Sequence, residues 1–84
     1  MSVKFVETVS ACGNVWRAHY DGMMLEICED RLQIYDPDIL EGGTEVFSIA
    51  DDGGLSCSGG ENVTDHWTEN DWGNVIAGVM AVKG

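Results

Sequence analysis

The sequence predicts an α+β domain: an antiparallel meander of about five or six strands, with one C-terminal helix over about 69–82 packed on one face. Short runs rich in β-branched and aromatic residues recur through the first two thirds of the chain, each bounded by turn residues. Asp21-Gly22 stands between two such runs, and an Asp-Gly pair suits a type I′ hairpin turn because both central positions need positive φ. Beyond residue 67 the apolar spacing changes to three and four residues, the period of a helix with one buried face.

Taken in order, "VKFVETVS" (3–10) reads as the first strand and "ACGN" (11–14) breaks it. "VWRAHY" (15–20) and "MMLEIC" (23–28) form the hairpin around Asp21-Gly22. "RLQIY" (31–35) follows Glu29-Asp30, with Leu32 and Ile34 on one face and Arg31, Gln33 and Tyr35 on the other. Asp36-Pro37 ends that strand, since proline offers no ladder donor. "DILEGG" (38–43) is a loop or a single helical turn. "TEVFSIA" (44–50) and "LSCS" (55–58) flank "DDGG" (51–54) as a second hairpin, and "GGENVTDH" (59–66) is a connector.

The helix has a legible start. Thr68 is a good N-cap, and Asp71 three residues on nearly completes a capping box. Trp67 before the cap and Trp72 in the first turn hold the positions of a hydrophobic staple. Apolar residues at 72, 75, 76, 79 and 80 predict the buried face. Gly73, Ala77 and Ala81, with Gly78 beside them, form a stripe of small residues expected to pack closely on the protein's own sheet.

At 84 residues the chain is read as a single domain, 1–84. An apolar fraction of 44 % with seven aromatics describes a packed interior rather than a disordered acidic tail. Fifteen acids against four bases give a net charge of −11, which disfavours direct binding to nucleic acid or to anionic membranes. The charge is uneven. Residues 1–31 carry five acids against Lys4, Arg17 and Arg31, and the remainder carries ten against Lys83 alone. Cys12, Cys28 and Cys57 are odd in number and lack CxxC spacing, so free thiols in a reducing compartment are expected; a single bridge between two of them stays open. "MSVKFVETVS" has no signal-like apolar run, and "VIAGVMAV" (75–82) is too short to span a membrane. The expectation is a cytoplasmic protein.

The patterns that carry chemistry are thin. His19 and His66 have no local cysteine or histidine at zinc-ligand spacing, and "DPDILEGG" and "DDGG" do not follow the calcium-loop pattern, so no metal or cofactor is expected. There is no GxSxG, and carboxylates are too abundant for any pair to single itself out as catalytic. "EGG", "DDGG" and "SGGE" adjoin carboxylates and do not lead through GK[ST] into a helix, which excludes a phosphate loop. The reading is non-enzymatic, with no catalytic residue.

What stands out is the field itself. From Leu32 to Val82 the chain has no lysine or arginine, and ten carboxylates fill the interval: Asp36, Asp38, Glu41, Glu45, Asp51, Asp52, Glu61, Asp65, Glu69 and Asp71. Strand carboxylates two residues apart project to one side about 6.5 Å from each other, so a sheet with acidic loops presents charge at regular intervals. The loop and strand acids Asp36, Asp38, Glu41, Glu45, Asp51 and Asp52 are expected to form the contact face, and Glu69 and Asp71 to complement the helix N-terminus. In size, charge and make-up the chain resembles the small acidic phage-encoded inhibitors that mimic DNA, among them anti-CRISPR proteins and the uracil-DNA glycosylase inhibitor. That resemblance lies in the profile of the whole chain and its ten unbalanced acids. It implies a monomer or weak homodimer, in the host cytoplasm if phage-encoded, whose acidic surface occupies the basic nucleic-acid-binding site of a partner protein or complex. The alternative is a small acidic domain whose charge serves solubility, halophile adaptation included, and whose partner contact is hydrophobic. A third reading is a divalent-metal-dependent module.

Overall fold

The computed structural model describes residues 2–11, 13–39 and 42–83. Six strands, β1 (Val6–Ser10), β2 (Gly13–Tyr20), β3 (Met23–Cys28), β4 (Arg31–Tyr35), β5 (Thr44–Ile49) and β6 (Leu55–Gly60), are followed by α1 (Glu69–Lys83). Every strand pairs antiparallel with its sequence neighbour, so the sheet order is β1-β2-β3-β4-β5-β6. This is the predicted meander with its terminal helix. Asp21 and Gly22 hold φ of 54° and 73°, as the type I′ reading requires.

The register shows how alternation builds the core. Cross-strand partners share a face, so Trp16, Ile27, Leu32 and Phe47 form one row and Ala18, Leu25, Ile34 and Glu45 the next. The apolar members of these rows pack beneath α1, whose Val75 and Val79 are fully buried. Leu25, Leu32 and Ile34 are likewise fully buried, and truncating any of them to alanine removes about 2–5 kcal/mol. A 15-residue helix is about 22 Å long, which matches the length of the strands it crosses.

Two expectations are corrected. The first strand begins at Val6, not residue 3, because Val3 and Phe5 leave the sheet and bury themselves against the helix. Val3 N–H donates to the Asn74 carbonyl at 3.0 Å. The buried helical face is turned accordingly: Val75, Gly78 and Val79 are buried and Val82 packs on the core, while Met80 is 50 % exposed. A Cβ at Gly78 would stand 2.2 Å from the Val3 carbonyl oxygen, so only glycine lets the N-terminal segment lie there. Gly73, Ala77 and Ala81 face outward, and the close approach falls to Gly78 alone.

At the helix start, Thr68 N–H and Oγ1 both meet Asp71 Oδ2, at 2.9 and 3.2 Å, which is the reach-back half of a capping box. Trp72 N–H bonds the Thr68 carbonyl at 3.1 Å, closing the first turn. The staple forms as expected, with the Trp67 and Trp72 rings edge to face at 4.9 Å. Tyr20 packs on Trp67 and Phe47 on Trp72, extending the contact into an aromatic chain across the sheet. Among the described residues, no helix is long and apolar enough to cross a membrane.

Candidate interaction face

A meander sends alternate connections to opposite ends of its sheet, and the charge follows. At one end lie the β2–β3 turn, the β4–β5 loop and the start of α1, drawn together by bonds from Asp21 to His66 and from Tyr20 to Asp71. Asp21, Asp36, Asp38, Glu61, Asp65, Glu69 and Asp71 belong to these segments and to the β6–α1 connector, which contain no lysine or arginine, and Lys4 of the N-terminal segment lies near them beside Tyr20 and Asn74. The other end holds the β1–β2, β3–β4 and β5–β6 turns and the close of α1. There Lys83 stands among acids, its Nζ 2.8 Å from Asp30 Oδ1 and its side chain lining a shallow depression with Asp51 and Asp52.

The structure therefore divides the predicted contact face. Asp36 and Asp38 lie at the acidic end, and Asp51 and Asp52 lie in the β5–β6 turn at the opposite end. Glu41 lies outside the described residues. Glu45 is withdrawn from the surface altogether. It is 7 % exposed, and its Oε1 accepts from Val63 N–H at 3.1 Å, Thr64 N–H at 3.2 Å and Thr64 Oγ1 at 2.8 Å. A carboxylate with three donors on one oxygen is a clasp holding the connector onto β5, not a surface charge.

Asp21 and His66 join the site, although the sequence pointed to Asp21 only as a turn residue and to His66 only as a metal ligand that its spacing excluded. Asp21 Oδ2 accepts from His66 Nε2 at 2.6 Å and from Trp67 Nε1 at 3.0 Å, and Asp65 Oδ1 stands 3.7 Å from the other imidazole nitrogen. The bond to Asp21 raises the His66 pKa above its usual value, and the same bond, followed by that from Trp67, lowers Asp21. Carboxylates stand at both ring nitrogens of His66, and both favour its protonated form. Asp71 is lowered by the Thr68 backbone N–H and then by the Tyr20 hydroxyl, which donates to its Oδ1 at 2.5 Å; that bond raises Tyr20 in turn.

Beside this pair is an open depression of about 320 Å³ lined by Asp21, Met23, Asp36, Ile39, Val63 and His66, together with Gly42 and Gly43. Its lining joins the apolar side chains of Met23, Ile39 and Val63 to the carboxylates of Asp21 and Asp36 and the His66 ring. Among the described residues, no group of three or more histidine, cysteine, aspartate and glutamate side chains is placed to hold a metal ion, and Cys28 and Cys57 are free thiols.

No protein-family model, curated protein or solved structure matches this chain.

Proposed function

We propose that this chain is a non-enzymatic binding protein whose acidic end occupies a basic, nucleic-acid-binding site on a partner protein, in the manner of the DNA-mimic inhibitors it resembles. The observation that supports this reading is the segregation of charge: seven carboxylates on the turn, loop, connector and helix start of one end, against Lys4, His19 and His66 among the described residues near them. Asp38, Glu61 and Glu69 form no ion pair among the described residues, so their field extends outward rather than being spent internally. A fixed field of one sign steers an oppositely charged partner into contact and loses range as salt rises, the Debye length falling from about 10 Å at 0.1 M to about 3 Å at 1 M. The contact face is Asp36, Asp38, Glu61 and Asp65 with the depression beside them. The protein acts in the cytoplasm, where its partner's nucleic acid is found.

The test begins with a partner captured on the immobilised chain at low salt and released at high salt. Converting Asp36, Asp38, Glu61 and Asp65 to the corresponding amides is expected to slow association about tenfold or more at low salt, whereas the same change at Asp51 and Asp52 has a smaller effect. Adding the parent protein is expected to displace nucleic acid from the partner. Association as fast as the parent's, or nucleic acid left in place, refutes the reading.

A further inference from the structure

The two edges of the sheet are protected unequally. β6 is broken as a template: a bulge falls opposite Val46 and Phe47, and Gly59 and Gly60 hold φ of 154° and 88°. β1 has none of these devices. It is five residues long, regular in register and free of proline, lysine and bulges, and its Val6 and Val9 are 64 % and 79 % exposed.

The direction of its free backbone groups follows from the hairpin. Ser10 pairs with Gly13 across a two-residue connection, and such a hairpin closes on a pair that exchanges both N–H···O bonds. Alternation then turns the polar groups of Thr8 and Val6 toward β2, and those of Glu7 and Val9 outward. We infer that β1 pairs antiparallel with β1 of a second copy of this chain about a two-fold axis at Thr8, extending the sheet across both molecules.

The occupant is fixed by complementarity. In this register Glu7 stands opposite Val9 of the second copy, and Val9 opposite its Glu7, so the outward groups meet in two reciprocally bonded pairs. Thr8 faces Thr8 of the second copy in the closer, non-bonded pair between them, a favourable cross-strand match. A register centred on Glu7 would oppose two carboxylates. Charge also selects this edge: residues 1–20 carry Lys4 and Arg17 against Glu7 alone, so the net-negative remainder of each molecule lies away from the contact. The two-fold axis points the acidic ends in opposite directions. With so short a strand the contact is well below the roughly 1,200 Å² of a standard stable interface, which makes the dimer weak and reversible.

Sedimentation at rising concentration, up to about 1 mM, spans the weak end of the affinity scale and reads the dimer directly. A concentration-dependent dimer is expected. It should strengthen with salt, because both copies carry net −11; this is opposite in sign to the response expected of partner binding at the acidic end. Val9→Pro removes an outward N–H that β2 does not use, and is expected to weaken association about tenfold or more while the melting temperature stays near the parent value. Val9→Lys tests the same edge without touching the backbone. With Cys12, Cys28 and Cys57 changed to serine, Thr8→Cys is expected to give a disulfide-linked dimer under mild oxidation, and Glu7→Cys is not. A monomer throughout, a dimer indifferent to both Val9 variants, or crosslinking through position 7 instead of 8 overturns the inference.

Discussion

The helix begins at one end of the sheet and finishes at the other, and the two ends treat their carboxylates differently. Where α1 finishes, the bridge from Lys83 lowers the pKa of Asp30, and Lys83 also stands beside Asp51 and Asp52. Where α1 begins, Asp21 and Asp71 are occupied by internal donors, and among the described residues the acids around them form no ion pair with a lysine or arginine, although Lys4 lies nearby, beside Tyr20 and Asn74. The fifteen acids of this small chain therefore do not amount to a uniform coat. The internally bonded ones stiffen the acidic end, and the others give it a field.

The strongest way to break this contrast is to remove its anchor. Trp67 is buried, packs on both Tyr20 and Trp72, and donates to Asp21, so Trp67→Ala is expected to cost about 3–5 kcal/mol in denaturant melts. Trp67→Phe, which keeps a ring but loses the donor, should cost much less. A small loss from the alanine variant would mean that the acidic end is not held by its aromatic chain.

Next in size is Glu45. Glu45→Ala strands two backbone N–H groups and a hydroxyl in a buried setting, with an expected loss of about 2–4 kcal/mol. Hydrogen exchange should report new opening at Val63 and Thr64 in this variant and little change at the β3–β4 turn. Equal opening at both ends would show that the clasp is not local.

The smallest expected effect sharpens the contrast through pH. The raised His66 contributes stability that is complete below its unfolded value near 6.5 and is lost as pH rises through its higher folded value. The lowered Asp21 contributes stability that is complete above its unfolded value near 3.8 and is lost as pH falls through its lower folded value. The pair is thus most effective between about pH 4 and 6.5, and His66→Asn is expected to flatten the alkaline side of a melting-temperature profile. An unchanged alkaline slope would place the titrating group elsewhere. Loss of the imidazolium also makes the acidic end more negative, so partner association should quicken as pH rises through the same range.

Much of the architecture was legible because it is local. Strand alternation, the Asp21-Gly22 turn and the Thr68 cap with its tryptophan staple all depend on residues a few positions apart. Glu45 was legible too, since it alternates inward with Phe47 and Ile49, but counting it among the unbalanced acids hid its direction. The rotation of the helical face was not legible, because it depends on Val3 and Phe5 arriving from the other terminus to lie on Gly78. The Asp21–His66 pair joins residues 45 positions apart and has no spacing to announce it. The division of Asp36 and Asp38 from Asp51 and Asp52 follows from the meander once every strand is paired, and charge counting along the chain could not separate them.

The same meander bears on the speed of folding. Each strand finds its partner by closing a connection of only two to eight residues, so the sheet can grow one neighbour at a time from any hairpin already formed. The β2–β3 hairpin, with two left-handed positions already suited to Asp21 and Gly22, is the natural nucleus. Only the seating of α1, and of residues 2–5 upon it, requires distant parts of the chain to meet. Substitutions along the sheet's central hairpins should therefore slow refolding, whereas changes at Val3 or Gly78 should chiefly hasten unfolding.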